Sequence, residues 1–185
     1  QGQTLSLRGG FSVISGTYTG WIDSDDILAP TALEEPAIFL DNNPLCGLVY
    51  TDYLVINEKN QMLGKGKRCQ IPYSSDRLLV DFMTFHFRLM RKEVFKQAGG
   101  IDSKAELVQD YDLCLRLSEI TQVHHLQRPL YYYRQHSGCM SSQQRVELIY
   151  NSQEAIARAL QRRGMATDYE IDVEIIGRYH LKRKI

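Results

Sequence analysis

Two aspartates set two residues apart, Asp23 and Asp25, close the segment Tyr18-Thr19-Gly20-Trp21-Ile22-Asp23-Ser24-Asp25-Asp26. On an extended backbone, side chains at i and i+2 point the same way, so these carboxylates converge. Convergent carboxylates at a strand end can hold a hard divalent cation such as Mg²⁺ or Mn²⁺. Ligands of open α/β sheets also bind beyond the carboxyl ends of strands. The plainer alternative is a polar turn, with Asp26 capping the next helix.

Asp110 is the second carboxylate of interest. In the segment 109–120, Asp110, Leu113, Cys114 and Leu117 share one helical face, which points Asp110 inward beside the core. A partly desolvated carboxylate there can act as a general base. A first-turn acid favoured by the helix dipole is the competing explanation. His136 follows a strand in Tyr133-Arg134-Gln135-His136-Ser137 and is a candidate metal or phosphate ligand; a solvent-facing loop histidine is the commoner case. Lys65, Lys67 and Arg68 are candidate phosphate contacts, set against the ordinary solvation of surface cations. Trp21 packs beneath the acidic loop. His124 and His125 alternate across a strand and read as structural, while His86 and His180 have no sequence neighbours that suggest chemistry.

The elements that must position these residues follow from periodicity and punctuation. A helix over 4–15 carries Leu5, Phe11, Val13 and Ile14, weakened by Gly9-Gly10, with Gly16 at its C′ position. A buried strand over 18–22 leads into the aspartates. Pro30 starts a helix that runs to about residue 40 and stops at Asp41-Asn42-Asn43-Pro44. The apolar run 46–56 is a buried strand. A turn at 57–60 lets 61–63 pair back, and 64–75 is an irregular, mobile loop. Then come a short helix over 76–82, a strand over 84–90 and a helix over 91–98 ended by Gly99-Gly100. In the helix 109–120, Asp112 faces outward with Arg116 as an i,i+4 surface partner. Strands over 122–127 and 130–134 flank Pro129. The longest helix, 142–163, has an apolar stripe of Val146, Ile149, Tyr150, Ile156, Ala157 and Leu160, and Gly164 ends it.

This alternation predicts an α/β fold. Lys plus Arg equals Asp plus Glu at 22 each, so charge gives no reason to expect nucleic-acid binding. Four cysteines without a CxxC pair exclude a zinc knuckle or redox motif and fit free thiols in a reducing, cytoplasmic setting. No apolar run approaches the roughly 18 residues of a membrane span. The chain begins at Gln1 without Met or a signal peptide and reads as part of something longer.

Two blocks together resemble the family 2 glycosyltransferases of the GT-A type. One is Gly16-Thr17-Tyr18-Thr19-Gly20-Trp21-Ile22-Asp23-Ser24-Asp25-Asp26-Ile27-Leu28-Ala29-Pro30-Thr31-Ala32-Leu33-Glu34, similar to the family's strand, Asp-x-Asp motif and following helix. The other combines Phe95-Lys96-Gln97-Ala98-Gly99-Gly100-Ile101-Asp102, Gln109-Asp110-Tyr111-Asp112-Leu113-Cys114-Leu115-Arg116-Leu117 and Leu130-Tyr131-Tyr132-Tyr133-Arg134-Gln135-His136, similar to its acceptor-side half.

The resemblance implies a GT-A-like mixed sheet flanked by helices over 1–140, with a C-terminal helical extension over 141–185 packed on it. It also implies that Asp23, Ser24, Asp25 and Asp26 meet the donor and that Asp23 and Asp25 hold Mn²⁺ or Mg²⁺, with Asp25 the more direct contact. His136 would lie near the metal or diphosphate. Asp110 would deprotonate the acceptor hydroxyl in an inverting transfer, with Gln109 and Trp21 on the acceptor side. The implied partners are a nucleotide-sugar donor, UDP-sugar favoured, and a glycan or lipid-linked acceptor, with the protein in the cytoplasm or at the inner face of the membrane. Two departures stand out. Gln109 replaces the family's usual Glu, and the family's opening strands and base-reading Asp are not represented. The expected consequences are weak or absent transfer by the chain alone and an open sheet edge that favours a homodimer or swapping. Two rival classes remain. One is a non-catalytic module that binds carbohydrate or a partner protein. The other is a metal-dependent phosphodiester hydrolase, which would want further ligands for a second metal.

Overall fold

The structure is a computed structural model that describes residues 2–136, 138 and 144–175. In chain order its helices are α1 (Gln3–Ser12), α2 (Glu34–Asn42), α3 (Lys92–Gln97), α4 (Gln109–Ser118) and α5 (Arg145–Arg162). Its strands are β1 (Tyr18–Thr19), β2 (Ile27–Leu28), β3 (Cys46–Ile56), β4 (Met62–Lys65), β5 (Arg88–Arg91) and β6 (Gln122–Arg134), with 3-10 turns at Lys67–Gln70 and Arg77–Leu79. Cys139, His180, the start of the longest helix at 142–143 and the basic run Lys182-Arg183-Lys184 lie outside the described residues.

The long apolar run becomes the central strand. β3 is buried along most of its length, as a strand covered on both faces must be. It pairs in parallel with β6 along its whole length. Its other side is shared by β5, at residues 48–50, and β4, at 54–56, both antiparallel. The sheet order is β1-β5-β3-β6-β2, so it is mixed. The strands at its two ends, β1 and β2, are two residues each, which offers another chain few pairing groups. One face packs Leu48, Tyr50 and Met90 against α4 and α5. The other packs Val49, Tyr53, Leu89 and Tyr131 with Leu40 of α2. His125 is tied to buried Asp52 at 2.9 Å and His124 stacks on Phe39, so both are structural.

Several expected boundaries move, each for a physical reason. The two strands expected around Pro129 are one strand, β6, and register shifts against β3 near Asp52 absorb the missing proline N–H. The strand expected over 18–22 pairs only at Tyr18 and Thr19, and Ile22 is exposed. Gly20 crosses Arg88 so closely that a Cβ would stand 2.4 Å from its carbonyl oxygen. The helix expected from Pro30 begins at Glu34, with Glu34 and Glu35 in its first turn favoured by the helix dipole. α1 stops at Ser12 with Val13 as its cap, so Gly16 is not a C′ residue. The stretch 64–75 is more ordered than expected: Lys65 continues β4 and Cys69 is buried. The short helix over 76–82 shrinks to a 3-10 turn, and the strand over 84–90 pairs only as β5.

The larger correction concerns Asp112. It is 1% exposed and meets Arg116 at 2.7 Å and Arg158 at 3.2 Å. Arg116 also caps the Gly99-Gly100 turn through the Gly100 carbonyl at 2.8 Å. α4 is wedged between the sheet and α5, so it has no solvent face on which a surface pair could sit. α5 packs through Ala155, Ala159 and Leu160, with Ile156 half-buried beside them, so the C-terminal part of the expected stripe faces the core while Val146 and Tyr150 are exposed.

Asp112→Ala strands two arginines. It is expected to lower unfolding free energy by about 3–5 kcal/mol in urea titration. Glu93→Ala, whose pairs with Lys92 and Lys96 are exposed, is expected to change it by about 0.5 kcal/mol or less.

Candidate active site

The acidic loop is pinned to β6. Asp26 accepts a hydrogen bond from the Tyr131 hydroxyl at 2.7 Å and from the Arg134 backbone N–H at 2.7 Å. The Asp23 N–H approaches the Tyr131 oxygen at 3.3 Å, and Arg134 Nε donates to the Asp25 carbonyl at 2.6 Å. Asp26 therefore anchors its loop rather than capping α2, which starts only at Glu34. Two residues past the end of β6, His136 Nε2 lies 2.8 Å from Asp25 Oδ2. The sequence places these two groups in one site, and the geometry brings them together.

A second carboxylate–imidazole pair was not foreseen. His86 Nε2 stands 3.7 Å from Asp23 Oδ2, and its ring stacks on Tyr131 at 4.7 Å. Burial, followed by the charges of Arg88 and Arg68, pushes His86 well below the usual histidine range, so it is a neutral imidazole. Arg88 was missed as well. It is 2% exposed, donates to the Thr84 carbonyl at 3.0 Å and lies over the Trp21 ring at 4.7 Å. Its Nη1 reaches Asp110 Oδ2 at 3.3 Å, while Asp110 Oδ1 accepts from the Tyr111 N–H at 2.8 Å. The overlooked signal was alternation: His86 and Arg88 are polar at i and i+2 in an apolar run, so they share one side.

Asp23 carries the electrostatic load of this cluster. Burial raises its carboxyl from 3.8 to about 6; Arg88 opposes that rise, and Asp110, Asp26 and Asp25 add to it. Arg88, bonded to Asp110, and Asp110 itself both act on Asp23, and the two acidic segments border one space. Burial also raises Asp26, against the Arg134 and Tyr131 hydrogen bonds, and raises the Tyr131 phenol.

That space is a cavity of about 1860 Å³ lined by Trp21, Asp23, Ser24, Asp25, Asp26, Gln109, Asp110 and His136, with His86 and Arg68. Gln109 is 4% exposed, and its amide nitrogen donates to Gln3 Oε1 at 3.2 Å and to Thr4 Oγ1 at 3.4 Å, tying α4 to α1. Lys65 is taken up by Asp52 at 2.7 Å. Ligating atoms of Asp23, Asp26 and His86 lie within 4.8 Å of one another; Asp25 and His136, expected as ligands together with Asp23, pair with each other at 2.8 Å and are not in this group of three. Carboxylate oxygens with neutral imidazoles are donors that suit Mn²⁺, and the residues present fit such an ion.

The chain belongs to glycosyl transferase family 2, which it matches over residues 1–99. It is 33% identical over 139 residues to the O-antigen biosynthesis protein RfbC of Myxococcus xanthus, covering 72% of this chain and 10% of that protein. It is 29% identical over 120 residues to a chondroitin synthase of Pasteurella multocida, covering 65% of this chain and 12% of that one. The chain thus spans only about a tenth of the length of these relatives. Its fold is similar to that of Staphylococcus aureus TarS 1-349, with TM-score 0.56 and 15% identity over 82% of this chain and 43% of that one. No helix among the described residues is long and apolar enough to cross a membrane.

A raised carboxyl value means that the ionised form destabilises the fold. For Asp23 that destabilisation is complete above about pH 6 and absent below the ordinary value of 3.8. Asp23→Asn removes it. Discounted for the one-third exposure of the side chain, the expected gain near neutral pH is about 1–2 kcal/mol. Thermal melts of both proteins across pH should converge below about 3.8, diverge as pH rises from there to about 6, and keep a constant separation above it.

Proposed function

We propose that this chain forms the metal- and acceptor-side part of an inverting, metal-dependent glycosyltransferase. Its donor is a nucleotide-sugar, UDP-sugar favoured, and its acceptor a hydroxyl on a glycan or lipid-linked glycan. The observation that supports this reading is that Asp23, Asp25, His136 and Asp110 line one cavity. The names of the relatives, an O-antigen biosynthesis protein and chondroitin and hyaluronan synthases, support a glycan product.

The chemistry divides between the two acidic segments. The acceptor hydroxyl attacks the anomeric carbon as the bond from that carbon to the diphosphate oxygen breaks. Asp110 takes the hydroxyl proton. Each of its oxygens already accepts one hydrogen bond, from Tyr111 and Arg88, which fixes the carboxylate plane and leaves a lone pair on each for the substrate. Asp23, Asp25 and His136 would hold a divalent cation, which when bound offsets the charge of the departing diphosphate. Trp21 and Phe11, packed edge to face at 5.7 Å, wall the acceptor side and exclude water. A binding-only role draws support from Gln109, an uncharged residue in place of the family's usual Glu, whose amide also ties α4 to α1.

Titration calorimetry of UDP with Mn²⁺ into the chain tests the assignment. Asp25→Ala is expected to weaken binding at least about 10-fold, the loss of one charged ligand contact. Asp110→Asn is expected to keep binding but slow UDP release from UDP-sugars by about 100-fold or more, the contribution of a general base. Binding unaffected by Asp25→Ala contradicts the metal assignment. Binding without any UDP release by a longer protein that carries the family's opening strands ahead of this chain favours the binding-only role.

A further inference from the structure

Arg68 lines the same cavity, and the reaction above gives it no task. It sits in the 3-10 turn that follows β4. Its Nη1 donates to the Phe82 carbonyl at 3.1 Å, and its guanidinium lies over the rings of Phe85 at 4.5 Å and Phe82 at 5.3 Å. These contacts hold the plane of the fork. Among the described residues no carboxylate is paired with it, in contrast to Lys65, which is paired with Asp52. A cation backed by two aromatic rings and oriented by a carbonyl keeps most of its five N–H donors for a ligand.

The planar fork matches a carboxylate, which it can grip with two parallel hydrogen bonds. The cavity wall around it, Phe82, Phe85 and Tyr133, offers apolar ring surface to the flat face of a sugar. Arg68 is also set apart from the metal-side carboxylates. Phe85 meets His86 edge to face at 4.1 Å, and His86 in turn approaches Asp23 at 3.7 Å, so the contacts that link Arg68 to Asp23 run through both rings.

Building on the glycosyltransferase reading, we propose that Arg68 is a specificity residue that selects a hexuronate, a sugar bearing a carboxylate. That carboxylate belongs either to the sugar of the donor or to the terminal sugar of the acceptor.

Calorimetry on the chain distinguishes the two sources. One arm compares UDP-glucuronate with UDP-glucose, each with Mn²⁺. The other compares a glucuronate-ended oligosaccharide with its carboxyl-reduced form. The wild type should prefer the charged ligand at least about 10-fold in one arm, the worth of a charge-assisted hydrogen bond. Arg68→Met keeps an unbranched stem on Phe82 and Phe85 and should abolish that preference without weakening UDP itself. Arg68→Lys should keep part of it, and this second variant decides the question if the Met variant melts early. Equal affinities in both arms overturn the proposal, as does a preference that survives Arg68→Met. An equal loss for UDP alone also overturns it, because Arg68 would then be a diphosphate contact. If Asp25→Ala removes UDP binding while Arg68→Met changes nothing, the metal-site reading stands and this inference falls. If only Arg68→Met has an effect, the reverse holds.

Discussion

The grip of β6 on the acidic loop is the interaction on which the rest depends. Asp26 receives the Tyr131 hydroxyl and the Arg134 N–H, and Arg134 reaches back to the Asp25 carbonyl. A loop between two two-residue strands has little pairing of its own to fix it. Bonded this way to the end of a strand paired along the whole of β3, it inherits the rigidity of the sheet. Asp25 then meets His136, and Asp23 is turned toward His86 and the core. A third aspartate, chemically equivalent to its neighbours, is thus the structural member that positions the other two.

The site concentrates like charge, and the fold restrains it with one buried cation. Arg88 lies against Trp21, bonds Asp110 and lowers the cost of ionising Asp23. Even so, burial leaves Asp23 with a raised carboxyl value. Uncompensated charge of this kind is a feature of sites built to receive a counter-charge rather than to maximise stability. The contrast with Asp112 is instructive. That carboxylate is more deeply buried, but two arginines accompany it and its role is to join α4 to α5 and to the turn after α3.

Much of this is readable in the sequence. An uninterrupted apolar run marks β3, a 3.6-residue period marks α4, and paired aspartates after a strand mark the acidic loop. What escapes depends on partners far along the chain. Asp112 reads as a surface residue because periodicity cannot show that α5 covers the outer side of α4. Asp26 groups with the donor-binding aspartates because its hydrogen bonds go to residues 131 and 134. His86 and Arg88 pass unnoticed because each gains meaning only beside Asp23 and Asp110. Pro129 suggests a break where a bulge against β3 lets the strand continue.

The central claim is that acids at positions 23, 25 and 110 border one space. Paramagnetic broadening by Mn²⁺ tests it most directly, by NMR of the isotopically labelled chain. The account predicts saturable broadening of the amide signals of Asp23, His86, Asp110 and His136 together. Leu45 and Thr121, which meet at the opposite end of β3, should stay sharp. Broadening that reaches Asp23 but leaves Asp110 untouched, or that appears only at the exposed acids Glu93 and Glu106, which lie outside the cavity, would contradict it.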